Sequence, residues 1–244
     1  MSKSEKNFAK EHALLFTILF AIVAILASFV HLSKLWGAEG QTFTLFEFIG
    51  PLPAAILGPF LGILAILVAK IATTIYSGAP LDYVTFLRFL PVLFAAYFFA
   101  KYKDSSKYSN FLQASIPLLC ILLFAIHPVG SQAWLFSLYW LIPPITILLL
   151  PRNLFFRSLS ATFTQHAIGG VIWIYFVNPG TPESWLLLIP LVAIERLVFA
   201  VGIALSYMGS MKTLHLLKNS AIFRLRTDAP LPSHQPHPGK KEKH

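Results

Sequence analysis

Charge is what this sequence has little of. Asp, Glu, Lys and Arg make up 12% of its 244 residues, about half the share in a soluble domain, while 56% are hydrophobic and the mean hydropathy is +0.69. A soluble globular fold is excluded. Carboxylates are scarcer still: ten Asp and Glu stand against 19 Lys and Arg, and those near apolar segments are Glu47, Asp82, Glu183 and Glu195. Paired intramembrane aspartates, an HExxH zinc site, a GxSxG nucleophile and the aspartate-rich motifs of phosphotransfer or prenyl transfer are all missing, which argues against an enzyme. An acid–base pair of His166 and Glu195 is the enzymatic reading that stays open. A P-loop is also lacking, so any ATP-driven step takes its energy from another subunit. The single cysteine, Cys120, lies inside an apolar segment, excludes an intrachain disulfide and reads as a small core residue. No metal site emerges, because nothing fixes the geometry of the tail histidines His234, His237 and His244, and no cofactor is expected.

What is present is apolar sequence, almost unbroken over residues 13–207. It predicts an all-α, polytopic membrane helix bundle of about eight spans, near 13–35, 44–57, 60–76, 83–100, 111–127, 132–150, 157–177 and 185–207. The run at 13–35 exceeds the apolar core of a signal peptide, usually about 7–15 residues, so it reads as a retained first helix. The net charge of +9 then reports orientation and not nucleic acid. Lys3, Lys6 and Lys10, then Lys101, Lys103 and Lys107, then Arg152 and Arg157, then Lys212, Lys218, Arg224 and Arg226 all fall on one face, while Lys34, Glu39, Asp82 and Glu183 fall on the other. A multi-pass plasma-membrane protein with both termini in the cytoplasm follows. Its divisions are a tail over 1–12, the membrane domain over 13–207, an amphipathic segment over 208–226 and a Pro-rich, charged tail over 227–244 expected to be disordered. The amphipathic segment suits a helix on anionic lipid, or equally a solvated continuation of the last span.

Residues 41–76 cannot be one span. A straight helix of 36 residues would run about 54 Å, against a hydrocarbon core of about 30 Å. Pro59 lacks an N–H and disfavours helix at the residue before it, and Gly58 tolerates unusual dihedrals, so the chain should fold back there into a short broken hairpin over 44–76. The Lys and Arg distribution requires the same hairpin, since a single span would put the N-terminal lysines opposite the other basic clusters.

Ionisable residues inside a membrane are costly, so each is a candidate for function. They are Lys70, Arg88, His127, His166, Glu195 and Arg196, loosely placed in the outer half. On the seventh segment Thr162, His166, Gly169, Gly170 and Trp173 share a helical face. There the glycines either form a recess in which a planar ligand stacks on Trp173, or admit a neighbouring helix to which His166 bonds. Adjacent residues on a helix diverge by about 100°, so Glu195 is expected to pair with Arg88 or Lys70 and not with Arg196. Lys70, Arg88 and Arg196 against Glu195 leave an excess of two positive charges, which points to an anionic ligand group unless Lys70 or Arg196 snorkels to the interface. Trp134, Tyr139 and Trp140 read as an interfacial aromatic belt.

The order TFTLFEF, then Pro-Ala-x-Ile-x-Gly-Pro-x-x-Gly, then an apolar helix with one Lys and an exit through Ser77-Gly78 resembles the substrate-binding S components of energy-coupling factor (ECF) vitamin transporters, especially the riboflavin-type group. The likeness covers roughly residues 13–100. It implies uptake of a small vitamin-like compound by toppling within a complex of a transmembrane coupling subunit and two ATPases. It also implies a small-residue contact on the first helix with that coupling subunit, for which Ala13, Thr17, Ala21, Ala24 and Ser28 line one face at spacings of 4, 4, 3 and 4. Ordinary packing within the chain is the other use of such a stripe. The family has six spans where the pattern here gives eight, so two are additions or the likeness is to a core. A structural or assembly role, with polar residues only locking helices together, is the alternative from a different class.

Overall fold

The computed structural model describes residues 3–34, 42–104 and 106–220. The tail over 227–244, with its three histidines, and most of the loop at 35–41 lie outside them. The fold is helical apart from one small ribbon. Helix α1, Lys3–Glu11, leads into α2, Ala13–Ser28. The first span is therefore shorter than the apolar run at 13–35 implies, because the chain turns at Phe29 and Val30 into strand β1, His31–Lys34, antiparallel to β2, Thr42–Thr44.

The chain next folds back at the position its proline and glycine mark. Helices α3, Phe46–Ile49, and α4, Leu52–Leu57, form the first arm, and α5, Pro59–Tyr76, forms the second. Gly58 between them has φ 93° and ψ 161°, a conformation that penalises any side chain, and Pro59 opens α5 at the position where its missing N–H costs nothing. The arms touch backbone to backbone. A Cβ added at Gly62 would lie 2.2 Å from both Cα and N of Ala54.

Helices α6, Tyr83–Leu87, and α7, Leu90–Lys101, follow, and then α8, Lys107–Ile126. Asp82 caps α6, accepting from the Thr85 N–H at 2.8 Å, and that bond holds its carboxyl below the ordinary 3.8. A broken region comprises α9, Pro128–Gln132, α10, Trp134–Ser137, a 3-10 turn at Leu138–Leu141 and α11, Ile142–Leu148. Helix α12, Leu154–Phe176, then runs through the middle, followed by α13, Pro182–Leu187, and α14, Ile189–Asn219.

Among the described residues, four helical stretches are long and apolar enough to cross a membrane: Pro59–Tyr76, Tyr83–Lys101, Lys107–Ile126 and Ile189–Asn219. Ala13–Ser28, Phe46–Leu57 and Trp134–Leu148 are apolar but shorter. Helix α12 is long, yet Ser158, Ser160, Thr162 and Thr164 are buried on it. It packs chiefly on α7 and α14, with α11 and α8 beyond, as a polar pillar enclosed by apolar neighbours. Helix α14 continues without a break to Asn219, so 208–219 prolongs the last apolar helix. At 31 residues it is about 46 Å long, more than a hydrocarbon core needs.

The small residues of α2 are used inside the chain. Ala24 is fully buried among Phe46, Ala54, Ile66, Ala69, Val92 and Ala96, and α2 lies chiefly on α5. Its exposed flank is Leu14, Ile18, Ile22 and Leu26. Two arginines read from sequence as orientation charges also prove structural. Arg157 is buried, donates from Nε to the Phe99 carbonyl at 2.6 Å and lies 3.8 Å from the Phe99 ring and 4.8 Å from that of Tyr207. Arg152 donates to the Tyr102 and Asp104 carbonyls at 2.7 and 2.6 Å and to Asn110 Oδ1 at 2.6 Å, fastening the loop between α7 and α8 to the start of α12.

Candidate functional site: an ionised core between the hairpin, α12 and α14

Residues Val192, Arg196, Phe199, Ala200 and Ile203 recur at helical spacing and form the buried face of α14. A guanidinium is thereby carried into the bundle about two turns from the helix start. Arg196 is 2% exposed. Its Cζ lies 4.8 Å from the Phe43 ring of β2 and 4.5 Å from the Phe199 ring, and these two rings meet edge to face at 5.2 Å. Its Nη1 donates to Thr162 Oγ1 at 3.5 Å, and its Nη2 is 3.9 Å from Glu195 Oε2. Its Nε meets no acceptor among the described residues. Glu195 therefore pairs with its own chain neighbour and not with Arg88 or Lys70. The 100° divergence at the backbone is overcome because both side chains are long enough to turn toward each other.

The carboxylate that closes the network is Glu47 on α3. Gly202 on α14 is what admits this arm, since a Cβ there would lie 2.6 Å from the Phe48 ring. Glu47 Oε2 accepts from Gln165 Nε2 of α12, and its charge attracts both Lys70 and Arg196. Lys70, half-buried on α5, holds its Nζ 5.1 Å from the Phe46 ring and 5.7 Å from that of Phe89. Two cations, Lys70 and Arg196, are thus matched by two carboxylates, Glu47 and Glu195. The excess of positive charge counted from the sequence disappears, and with it the argument for an anionic ligand, because Glu47 was left out of that count and Arg88 stands apart.

On α12 the face of Thr162, His166, Gly169, Gly170 and Trp173 is partly filled. Trp140 Nε1 donates to His166 Nδ1 at 3.0 Å, and the same indole occupies the hollow at Gly170, where a Cβ would lie 2.6 Å from Cζ2. Trp140 is wholly buried, so it belongs to the core and not to an interfacial belt. Because an indole N–H only donates, Nδ1 accepts, and the neutral imidazole carries its proton on Nε2. The Trp140 bond is the hydrogen bond His166 makes among the described residues. Gly169 has room: a Cβ there would first meet Pro91 Cγ at 3.8 Å.

Arg88 and His127 are not brought into this group. Arg88 is exposed at the end of α6, with its guanidinium 5.8 Å from the Trp173 ring and its charge felt by Asp82. His127 accepts the Val129 N–H at 3.2 Å to start α9 and meets the Tyr175 ring edge-on at 4.9 Å. Sequence reasoning passed over Glu47, Gln165, Trp140, Phe43 and Phe199. The readable signal for Glu47 was its rarity, as one of four carboxylates near apolar sequence. Among the described residues no three His, Cys, Asp or Glu side chains gather to hold a metal ion.

Fold and site together define an all-helical bundle, with helices of membrane-spanning length, that encloses a charge-balanced polar core. No family model, curated protein or solved structure matches the chain.

Proposed function

We propose that this chain is a membrane-embedded binding subunit for uptake of a small molecule, with the ligand held between the hairpin, α12 and α14. The observation that carries the reading is the hydrogen-bonding deficit of Arg196. A guanidinium offers five N–H donors, and burying them without acceptors is costly. Here one weak bond to a hydroxyl and one loose ion pair are what the surrounding residues provide, and Nε has no partner among them. An acceptor brought by a ligand would complete the set. Lys70, Gln165 and His166, all half-buried beside it, supply further polar contacts, and Phe43, Phe199, Phe46 and Phe89 supply apolar walls.

The bundle is a multi-pass plasma-membrane protein of about eight segments, with both termini and the Lys and Arg clusters in the cytoplasm and the site in the outer half. The Gly58-Pro59 hairpin and the TFTLFEF entry support a likeness to ECF-type S components. With no P-loop in the sequence, a separate coupling subunit with ATPases would supply the energy. The α2 stripe gives this partner no evident seat, since Ala24 is enclosed by the chain's own hairpin.

The test is purification of the full chain in mild detergent, followed by mass spectrometry of what is released on denaturation. A small molecule retained by the wild type and lost from Arg196→Lys is expected. If nothing is released and Arg196→Lys alters only thermal stability, the polar core is a helix lock and the protein is structural. That second reading is favoured by the way Gly170 and His166 are already engaged by Trp140.

A further inference from the structure

The ligand's charge can be read from the site, granted the binding reading above. We infer that the site takes a planar ligand with no net charge, presenting a carbonyl-type acceptor to Arg196 and His166. Three observations meet here. The first is charge closure. Glu47 acts on Lys70 and on Arg196, and Glu195 lies 3.9 Å from Arg196, so the two cations of the core have two carboxylates. A ligand bearing a charge would enter a low-dielectric seam without a counter-ion, and the desolvation of that charge would go uncompensated.

The second is the polarity of the groups left over. Arg196 Nε is an unpartnered donor on a side chain 2% exposed. His166 is fixed as an acceptor at Nδ1 by Trp140, so its other ring nitrogen is a donor when the ring is neutral. Arg196 bonds to Thr162, and Thr162 and His166 lie one turn apart on α12, so the guanidinium and the imidazole sit within about 6 Å along one helix face. Two donors at that separation suit one or two acceptor oxygens. The acceptor on the carboxylate side is already used, because Glu47 takes the Gln165 amide.

The third is shape. Phe43 and Phe199 flank the guanidinium, and the open side of Gly169 faces Pro91 with ordinary contact distance to spare. Flat apolar walls around a donor pair select a flat ligand.

Benzamide, benzoate and benzamidinium are near-isosteric planar probes of charge zero, minus one and plus one. Their binding to the purified full chain is measured by thermal shift and by isothermal titration. Benzamide is expected to bind at least tenfold more tightly than either ion, and Arg196→Lys to abolish its shift. In Glu47→Gln, which leaves the core with one positive charge in excess, the preference should turn to benzoate by at least tenfold. Benzoate binding the wild type as tightly as benzamide overturns charge neutrality while leaving a binding site in place. Selectivity for benzamide that is unchanged in Glu47→Gln overturns the role of Glu47 in setting it. If none of the three binds at millimolar concentration, the inference fails together with the binding reading.

Discussion

Gly169 and Gly170 are neighbours on α12, yet replacing each by alanine should have opposite effects. At Gly169 the added Cβ meets Pro91 Cγ at 3.8 Å, an ordinary contact, so the substitution fills space and relieves the entropic cost of a helical glycine, gaining about 0.5–1 kcal/mol. At Gly170 the Cβ would fall 2.6 Å from Trp140 Cζ2 and 3.0 Å from Cη2. Relaxing these to the usual 3.5–4.0 Å needs a shift of about 1 Å in a ring with no free surface, packed against Phe124 and Phe136. Overpacking of this kind costs about 1–3 kcal/mol, and loosening the 3.0 Å bond to His166 adds about 1 kcal/mol. Against these stands the same helix-propensity gain of at most about 1 kcal/mol. The two variants should therefore differ by about 2–3 kcal/mol, a gap of roughly 5–10 °C in Tm for a chain of this size. Thermal unfolding of the detergent-solubilised protein measures it, and the Trp fluorescence of Gly170→Ala should change because Trp140 has moved. Equal melting temperatures, within about 1 °C, would show that Trp140 does not fill the hollow, and the description of His166 would fall with it.

Gly62→Ala should destabilise by more than any other glycine-to-alanine change in α5, by upwards of about 3 kcal/mol, because the neighbour at 2.2 Å is the Ala54 backbone, which cannot rotate away; a variant that melts like wild type would refute the close contact of the hairpin arms. Glu47→Gln should cost about 3 kcal/mol, since it leaves Lys70 and Arg196 with one carboxylate between them, and Lys70→Met added to it should return at least about 1 kcal/mol in a double-mutant cycle. Purely additive effects would mean the two residues do not interact. The Asp82 carboxyl is held below 3.8 first by the Thr85 N–H, so its cap on α6 is fully in place above that pH and weakens as pH falls through the lowered value. Asp82→Asn should flatten this acid-side loss, as followed by hydrogen exchange at Thr85.

The hairpin was legible because its signals are local and add up. Length, Pro59, Gly58 and the side-by-side count of Lys and Arg each demand a reversal near residue 58, and the structure turns there. The extent of the first span was not legible. Val30, Leu32 and Leu35 are as apolar as the helix before them, and only the pairing of residues 31–34 with 42–44 makes this stretch a ribbon. Hydropathy sees composition and not partner. The site was half legible for a related reason. Lys70, His166, Glu195 and Arg196 stand out as ions in apolar sequence, and the structure gathers them. Which ions neutralise one another depends on which helices touch, and Glu47 lies 118 positions in sequence from Gln165, its hydrogen-bonding partner. Arg157 fails in the opposite direction. It reads as a loop charge that marks a membrane side, whereas its aliphatic stem and planar head fit between Phe99 and Tyr207.

Moving one carboxylate into the network changes what the core can do. With three cations against one carboxylate, burial would be sustained only while a counter-ion was bound, and the ligand-free protein would be strained by its own charge. With Glu47 included, the ligand-free protein is electrostatically closed, and the deficit that remains is one of hydrogen bonds to a single guanidinium. A deficit of that kind is a few kcal/mol at most, small enough to be carried by aromatic stacking from Phe43 and Phe199 and large enough to reward an acceptor that arrives. Glu47 belongs to the hairpin, Gln165 to α12 and Arg196 to α14, so the three elements share one set of polar contacts. An acceptor that bonds Arg196 alters the balance among all three, and the effect of Glu47→Gln on ligand preference reports that linkage directly.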